Sequence, residues 1–224
     1  MAKFRRHEVY QKVYETGLMP LFYESDITKA KMLLKACYDG GARTVEMTNR
    51  GDFAHEIYAE LMKFARKELP DLALGVGTII DTGTLAMYVQ MGADFVVTPM
   101  LHEDVARVCN RRQIGWFAGC ATLTEISKAQ ELGAEIVKIF PGDGLGPNFI
   151  KGALGPMPWS RLMPTGGVEP THESLKSWFE SGAIAVGLGS KLFPKGAKAE
   201  EIEEKVRFCI ETIKSLKENG KEKS

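Results

Sequence analysis

A chain of 224 residues, 44% hydrophobic and 26% charged, is long enough for one large core or at most two small ones. Lys plus Arg and Asp plus Glu balance at 29 each, which leaves no net field to recruit nucleic acid or an anionic membrane. No apolar run reaches the ~18 residues of a spanning helix, the first residues lack the apolar core of a signal peptide, and four widely spaced cysteines read as free thiols of a reducing, cytoplasmic compartment.

Residues 5–16 are polar with Val9 and Val13 among them, which predicts a short helix ahead of the main fold. Leu18 to Phe22 is the first strand, and Asp26 caps a helix that Gly40-Gly41 ends. Strand two is Thr44 to Thr48, followed by a long helix that stops at Pro70. Strand three is Leu72 to Thr78, with a helix to Gly92; strand four is Phe95 to Pro99, with a helix over His102 to Arg112. Strand five is Trp116 to Gly119, with a helix to Leu132. Strand six, Ile136-Val137-Lys138-Ile139-Phe140, precedes a glycine-rich loop over 141–147, readable as a lid or a plain loop, and a short helix to Leu154. Strand seven is Leu162 to Thr165 before Gly166-Gly167, and strand eight is Ile184 to Gly189. A helix from Glu200 to Leu216 closes the chain, and 217–224 reads as a solvated tail. Eight strand-helix units predict a (β/α)8 TIM barrel, one α/β domain over 1–224 with an extra N-terminal helix; an open sheet of five or six strands would leave units over.

Four units open alike. Gly41-Ala42, Gly92-Ala93, Gly133-Ala134 and Gly182-Ala183 each run into an apolar strand, the glycine serving as a left-handed helix cap at the αβ join. Four residues beyond each Ala stand Glu46, Val97, Lys138 and Gly187, which in alternate strands of a barrel form one interior layer. A lysine in a buried strand has either a snorkelling ammonium or a use for a neutral amine. A carboxylate in the same layer favours the second reading.

Chemistry in a parallel barrel lies at the carboxyl ends of the strands. Lys138 and Glu46 stand there for bond making, with Phe140 and Pro99 beside them. Arg50 with Thr78 can hold a carboxylate. The turns Thr165-Gly166-Gly167 and Gly187-Leu188-Gly189-Ser190 are poor in side chains, leave backbone N–H groups bare and lead toward helix N-termini, which suits phosphate. His7, His55, His102 and His172 lack H-x-H and H-x-x-x-H spacing, so no metal is expected. Cys120, near the mouth, is either reactive or small filler, and Tyr10, Tyr14 and Trp159 are either a contact surface or packing for the extra helix.

The segments Thr-Val-Glu-Met-Thr-Asn-Arg, Gly-Val-Gly-Thr, Val-Val-Thr-Pro, Ala-Gly-Cys-Ala-Thr-Leu-Thr-Glu, Val-Lys-Ile-Phe-Pro-Gly, Pro-Thr-Gly-Gly-Val and Val-Gly-Leu-Gly-Ser resemble, in this order, the motifs of the 2-keto-3-deoxy-6-phosphogluconate / 4-hydroxy-2-oxoglutarate aldolases. The resemblance implies a class I, Schiff-base aldolase of the Entner-Doudoroff type, without a cofactor, acting on a small 2-oxo acid and assembled as a homotrimer. It implies Lys138 as imine former, Glu46 for proton transfer, Arg50 and Thr78 at the pyruvate carboxylate, and Thr165 where facial selectivity is set. Two positions depart from the pattern: Ala118 replaces a frequent Pro, and Tyr23 stands where some members carry Arg. Kept beside this reading are the phosphogalactonate epimer as substrate, a sugar-phosphate isomerase or epimerase on the same barrel, and a non-catalytic sugar-phosphate binder.

Overall fold

A computed structural model describes residues 1–221. The first helix, α1 (Arg6–Thr16), precedes eight strand-helix units: β1 (Leu18–Phe22) with α2 (Ile27–Asp39), β2 (Thr44–Thr48) with α3 (Ala54–Glu68), β3 (Ala73–Gly77) with α4 (Thr82–Met91), and β4 (Phe95–Val97) with α5 (Glu103–Arg112). The second half continues with β5 in two pieces (Gly115–Phe117 and Gly119–Cys120) and α6 (Leu123–Glu131), β6 (Val137–Ile139) with α7 (Gly142–Leu154), β7 (Leu162–Pro164) with α8 (His172–Glu180), and β8 (Val186–Leu188) with α9 (Ala199–Lys221).

All pairings are parallel. One ladder runs β5-β4-β3-β2-β1-β8 and the other runs from the second piece of β5 through β6 to β7. The seams are joined by Lys138 N–H donating to the Ala118 carbonyl at 2.9 Å, by Ile184 N–H donating to Leu162 at 3.0 Å, and by a parallel bridge between Thr165 and Gly187. The ring is therefore closed, the predicted (β/α)8 barrel. Gly41, Gly92, Gly133 and Gly182 have φ of 103°, 98°, 88° and 99°, the left-handed caps that the repeated Gly-Ala joins require.

Two apolar shells follow from strand alternation. The larger lies between sheet and helices, with Val45, Met47, Val76, Val96, Val137, Ile139 and Leu162 facing outward. The smaller fills the ring with Met19, Ala73, Phe95, Val97, Phe117, Ile136, Met163 and Ala185. Helix α1 closes its amino-terminal end: Val9, Tyr10 and Val13 join this inner cluster, and the Tyr10 hydroxyl both accepts from Trp116 N–H at 3.1 Å and donates to its carbonyl at 3.3 Å. Tyr10 thus packs inside rather than marking a surface, whereas Trp159 is exposed.

Three expectations need correction. The stretch 141–147 is not a loop: residues from Gly142 onward are helical, with a break at Gly146 (φ 71°, ψ 171°) next to Pro147. Gly142 N–H donates to the Thr165 carbonyl at 2.8 Å, which ties this first turn to the end of β7. Second, the turn after β8 does not lead straight into a helix; Leu192 N–H and Phe193 N–H close a tight turn on Gly189 and Ser190, and α9 begins later. Third, α9 extends through Lys221 instead of ending at Leu216, and Lys217 Nζ donates to the Tyr14 carbonyl at 2.7 Å; of the expected tail, 222–224 lie outside the described residues.

Candidate active site

The flanking residues of strand six, Val137 and Ile139, face the outer shell, so alternation aims Lys138 into the ring; the same argument with Val45 and Met47 aims Glu46 inward. Lys138 is 5% exposed and Glu46 2%, two ionisable groups in the carboxyl-terminal half of a largely apolar lumen. Their charged atoms do not approach within the 4.0 Å of an ion pair. The Lys138 ammonium instead lies 4.7 Å from the centroid of the Phe140 ring.

Burial pushes the Lys138 pKa below its ordinary 10.5; the Glu46 charge holds it up, and Arg50 adds a smaller downward push. For Glu46, burial raises the carboxyl pKa, opposed by Lys138 and then Arg50. Both groups are driven toward their neutral forms by the same loss of solvent. The separation matters: a direct contact would lock in the ammonium-carboxylate pair and oppose the neutral amine.

A cation stands at the rim. Arg50 follows β2, and its Nε donates to Thr78 Oγ1 at 3.4 Å. Thr78 has φ of 60°, an unusual conformation for a β-branched residue, held where β3 turns over. Behind Arg50, Asn49 N–H donates to the Gly77 carbonyl at 2.8 Å, and the Tyr88 hydroxyl donates to Asn49 Oδ1 at 2.7 Å. Tyr88 and Asn49 were not singled out in the sequence. Asn49 lies inside a quoted motif, but its partner sits on a helix thirty-nine positions away, a relation no local pattern carries.

The remaining predicted residues line the same end of the ring. Pro99 follows β4 and packs its backbone on Gly119, which pairs with Lys138 in register. Thr165 is 6% exposed and stacks on Gly187, whose missing side chain makes room for it. Gly166 and Gly167 adopt φ of 89° and 68° against Asp143 in the first turn of α7; a Cβ on Gly167 would lie 2.7 Å from Asp143 Cα. The N–H groups of Gly167 and Ser190 donate to nothing among the described residues. An ion pair the sequence did not announce, Lys191 to Glu169 at 3.1 Å, spans the two turns. Cys120 is buried, its thiol pushed up to about 12, and serves as core filler. Among the described residues, no group of three or more His, Cys, Asp or Glu is placed to hold a metal ion.

This arrangement, a buried amine, a buried acid out of contact with it, a guanidinium at the rim and bare backbone donors opposite, can form an imine with a 2-oxo acid and move protons beside it. Known proteins resemble this chain over most of its length. A family model described as KDPG and KHG aldolase matches residues 9–208. The chain is 33% identical over 171 residues to the 2-dehydro-3-deoxy-6-phosphogalactonate aldolase of Escherichia coli strain K12, covering 74% of this chain and 78% of that protein. It is 26% identical over 214 residues to the KHG/KDPG aldolase of the same strain, covering 92% and 96%. A crystal structure of the 2-keto-3-deoxy-6-phosphogluconate aldolase of Zymomonas mobilis ZM4 with 3-phosphoglycerate superposes with a TM-score of 0.78 at 25% identity, over 91% of this chain and 95% of that one.

Proposed function

The chain belongs to the KDPG and KHG aldolase family, which makes it a carbon-carbon lyase, and on that premise we propose that it cleaves 2-keto-3-deoxy-6-phosphogluconate, 4-hydroxy-2-oxoglutarate or both through an imine on Lys138. The products are pyruvate and an aldehyde, glyceraldehyde 3-phosphate or glyoxylate. The observation that carries this reading is the burial of Lys138 and Glu46 in one lumen without a direct ion pair.

Neutral Lys138 attacks the C2 ketone, and loss of water leaves a protonated imine. Glu46 moves the protons of carbinolamine formation and takes the proton from the C4 hydroxyl. The C3–C4 bond then breaks, its electron pair drawn into the iminium; the aldehyde leaves and the pyruvate enamine stays on Lys138. Protonation at C3 and hydrolysis release pyruvate and restore the amine. Arg50 with Thr78 holds the C1 carboxylate, Thr165 sets the face of attack, and Phe140 and Pro99 wall the three-carbon unit. The bare N–H groups of Gly167 and Ser190, with Gly166 in the same turn and the side-chain-free Gly187 and Gly189 beneath, receive the terminal phosphate.

A second reading, the phosphogalactonate epimer as substrate, is favoured by the 33% identity to an aldolase named for it. The two substrates differ in configuration at C4, so comparing kcat/KM across the two six-carbon phosphates and hydroxyoxoglutarate separates them. The imine itself is tested by sodium borohydride reduction in the presence of pyruvate: a stable adduct mapped to Lys138 supports it, and an adduct elsewhere or none rejects it.

The exposed apolar side chains Phe53, Ile80, Met100 and Leu123 follow β2, β3, β4 and β5 along one side of the mouth, which supports packing against further copies as a homotrimer. Light scattering on a sizing column checks it. No helix among the described residues is long and apolar enough to cross a membrane, and a cytoplasmic location accords with four unpaired cysteines.

A further inference from the structure

The opposite end of the barrel carries a cavity the aldolase reading does not use. It has a volume of about 970 Å³, near the upper end of small-ligand sites, and lies between the N-terminal arm and the carboxyl ends of α4 and α5. Four cations, Lys3, Arg5, Arg6 and Arg112, line it, and no Asp or Glu does. In a chain whose formal charge is zero, such a concentration of one sign is local, not a reflection of composition.

The arm is built, not loose. Asp94, buried at the start of β4, accepts from Lys3 N–H at 2.7 Å and Phe4 N–H at 3.3 Å through one oxygen and from Leu74 N–H at 3.1 Å through the other. Arg66 donates to the Met1 carbonyl at 2.9 Å. Two acids beside the arm are thus spent on backbone: Asp94 beneath it, and Glu8, which accepts from Arg5 N–H at 2.7 Å.

The guanidinium groups, by contrast, are under-used. Arg5 and Arg112 form no ion pair among the described residues, and Arg6 Nε is buried without any hydrogen-bond partner while its Nη2 holds Asn110 Oδ1 at 3.0 Å. Arg5 and Arg112 are exposed and present whole guanidinium forks with no carboxylate partner, the geometry that phosphate oxygens accept from in pairs. The rest of the lining includes Phe4, Val89 and Ile114, more apolar surface than an inorganic anion requires. We propose that this cavity binds a nucleoside polyphosphate, the phosphates forked by Arg5, Arg6 and Arg112 and the base against the apolar wall, at the end of the barrel remote from Lys138.

The test uses the full chain and ATP without magnesium. ATP is expected to raise Tm, with adenosine and pyrophosphate each giving a smaller shift. In Arg5→Ser/Arg112→Ser, whose changes lie on exposed side chains, titration calorimetry is expected to show Kd for ATP weakened roughly tenfold or more, while Lys138→Ala binds ATP like the parent. Photolabelling with 8-azido-ATP is expected to mark peptides containing residues 2–7, 89–90 or 112–114. Equal affinity in the double variant, labelling confined to 165–191, pyrophosphate matching ATP, or no Tm shift at all would each overturn the proposal.

Discussion

Gly77 lies directly against the Glu46 carboxylate: a Cβ built on Gly77 would fall inside the van der Waals envelope of Glu46 Oε1 and of the side-chain carbons behind it. The acid reaches its place because its neighbour on β3 has no side chain, and the register pairs Gly77 with Thr48, two positions along from Glu46. Gly77→Ala is therefore expected to push the carboxylate away without breaking the barrel. Proton-transfer residues contribute on the order of a hundredfold or more, so kcat should fall by about that factor while circular dichroism stays the same. An unaltered kcat would show that Glu46 acts from elsewhere or not at all.

Lys138→Ala is expected to bring retro-aldol turnover to background and to abolish the borohydride adduct with pyruvate. The fold should persist, with a urea midpoint equal to or above the parent's, because a desolvated amine that makes no ion pair is removed from an apolar lumen. Pyruvate release at the parental rate in this variant would reject the nucleophile assignment.

The pH profile has a sign that can be worked out. Imine formation needs the neutral amine, whose fraction grows as pH rises through the folded pKa, and burial places that pKa below 10.5. The rate of trapping by pyruvate and borohydride is thus expected to climb with pH and level off below that value. The Glu46 charge raises the lysine pKa, so Glu46→Gln should move the limb to lower pH; Arg50 lowers it, so Arg50→Gln should move the limb to higher pH. Shifts in the same direction for both variants would contradict the electrostatic account.

Tyr88→Phe removes the hydroxyl that holds Asn49 Oδ1 at 2.7 Å and leaves the ring packed edge-on against Tyr58 at 4.9 Å. The segment carrying Arg50 loses one hydrogen bond worth about 1 kcal/mol, so KM for the 2-oxo acid should rise roughly fivefold with kcat little changed. A fall in kcat at constant KM would place Tyr88 in the chemistry instead of in the support of Arg50.

Asp94→Ala strands three backbone donors, on Lys3, Phe4 and Leu74. A loss of about 2–4 kcal/mol in urea denaturation is expected, with a smaller loss for Asp94→Asn, which keeps an acceptor. Equal losses in the two variants would mean that the charge of Asp94, not its hydrogen bonds, secures the arm.

Much of the barrel was legible because its signals are local. Each strand announces itself over five or so residues, and a glycine before an alanine marks the join at Gly41, Gly92, Gly133 and Gly182 through a backbone angle that other residues avoid. Counting along those joins also put Glu46 and Lys138 at one height, since strand periodicity fixes facing once the ends are known. The helical turn after Pro141 was missed for the same reason: three glycines and two prolines in the seven residues 141–147 argue for a loop, and the hydrogen bond from Gly142 to Thr165, supplied by another strand, holds it otherwise.

By itself, then, the order of residues determined the number of units, the inward side chains and the two ionisable groups that share the lumen. Closure of the ring decided the rest: that the lysine and the acid stay apart, that Gly77 makes room for Glu46, that Tyr88 reaches Asn49, and that an arm pinned by Asp94 sets four cations around one cavity. Those relations join residues far apart along the chain. Their distances are set by how neighbouring strands and helices pack, which no periodicity of a single segment encodes.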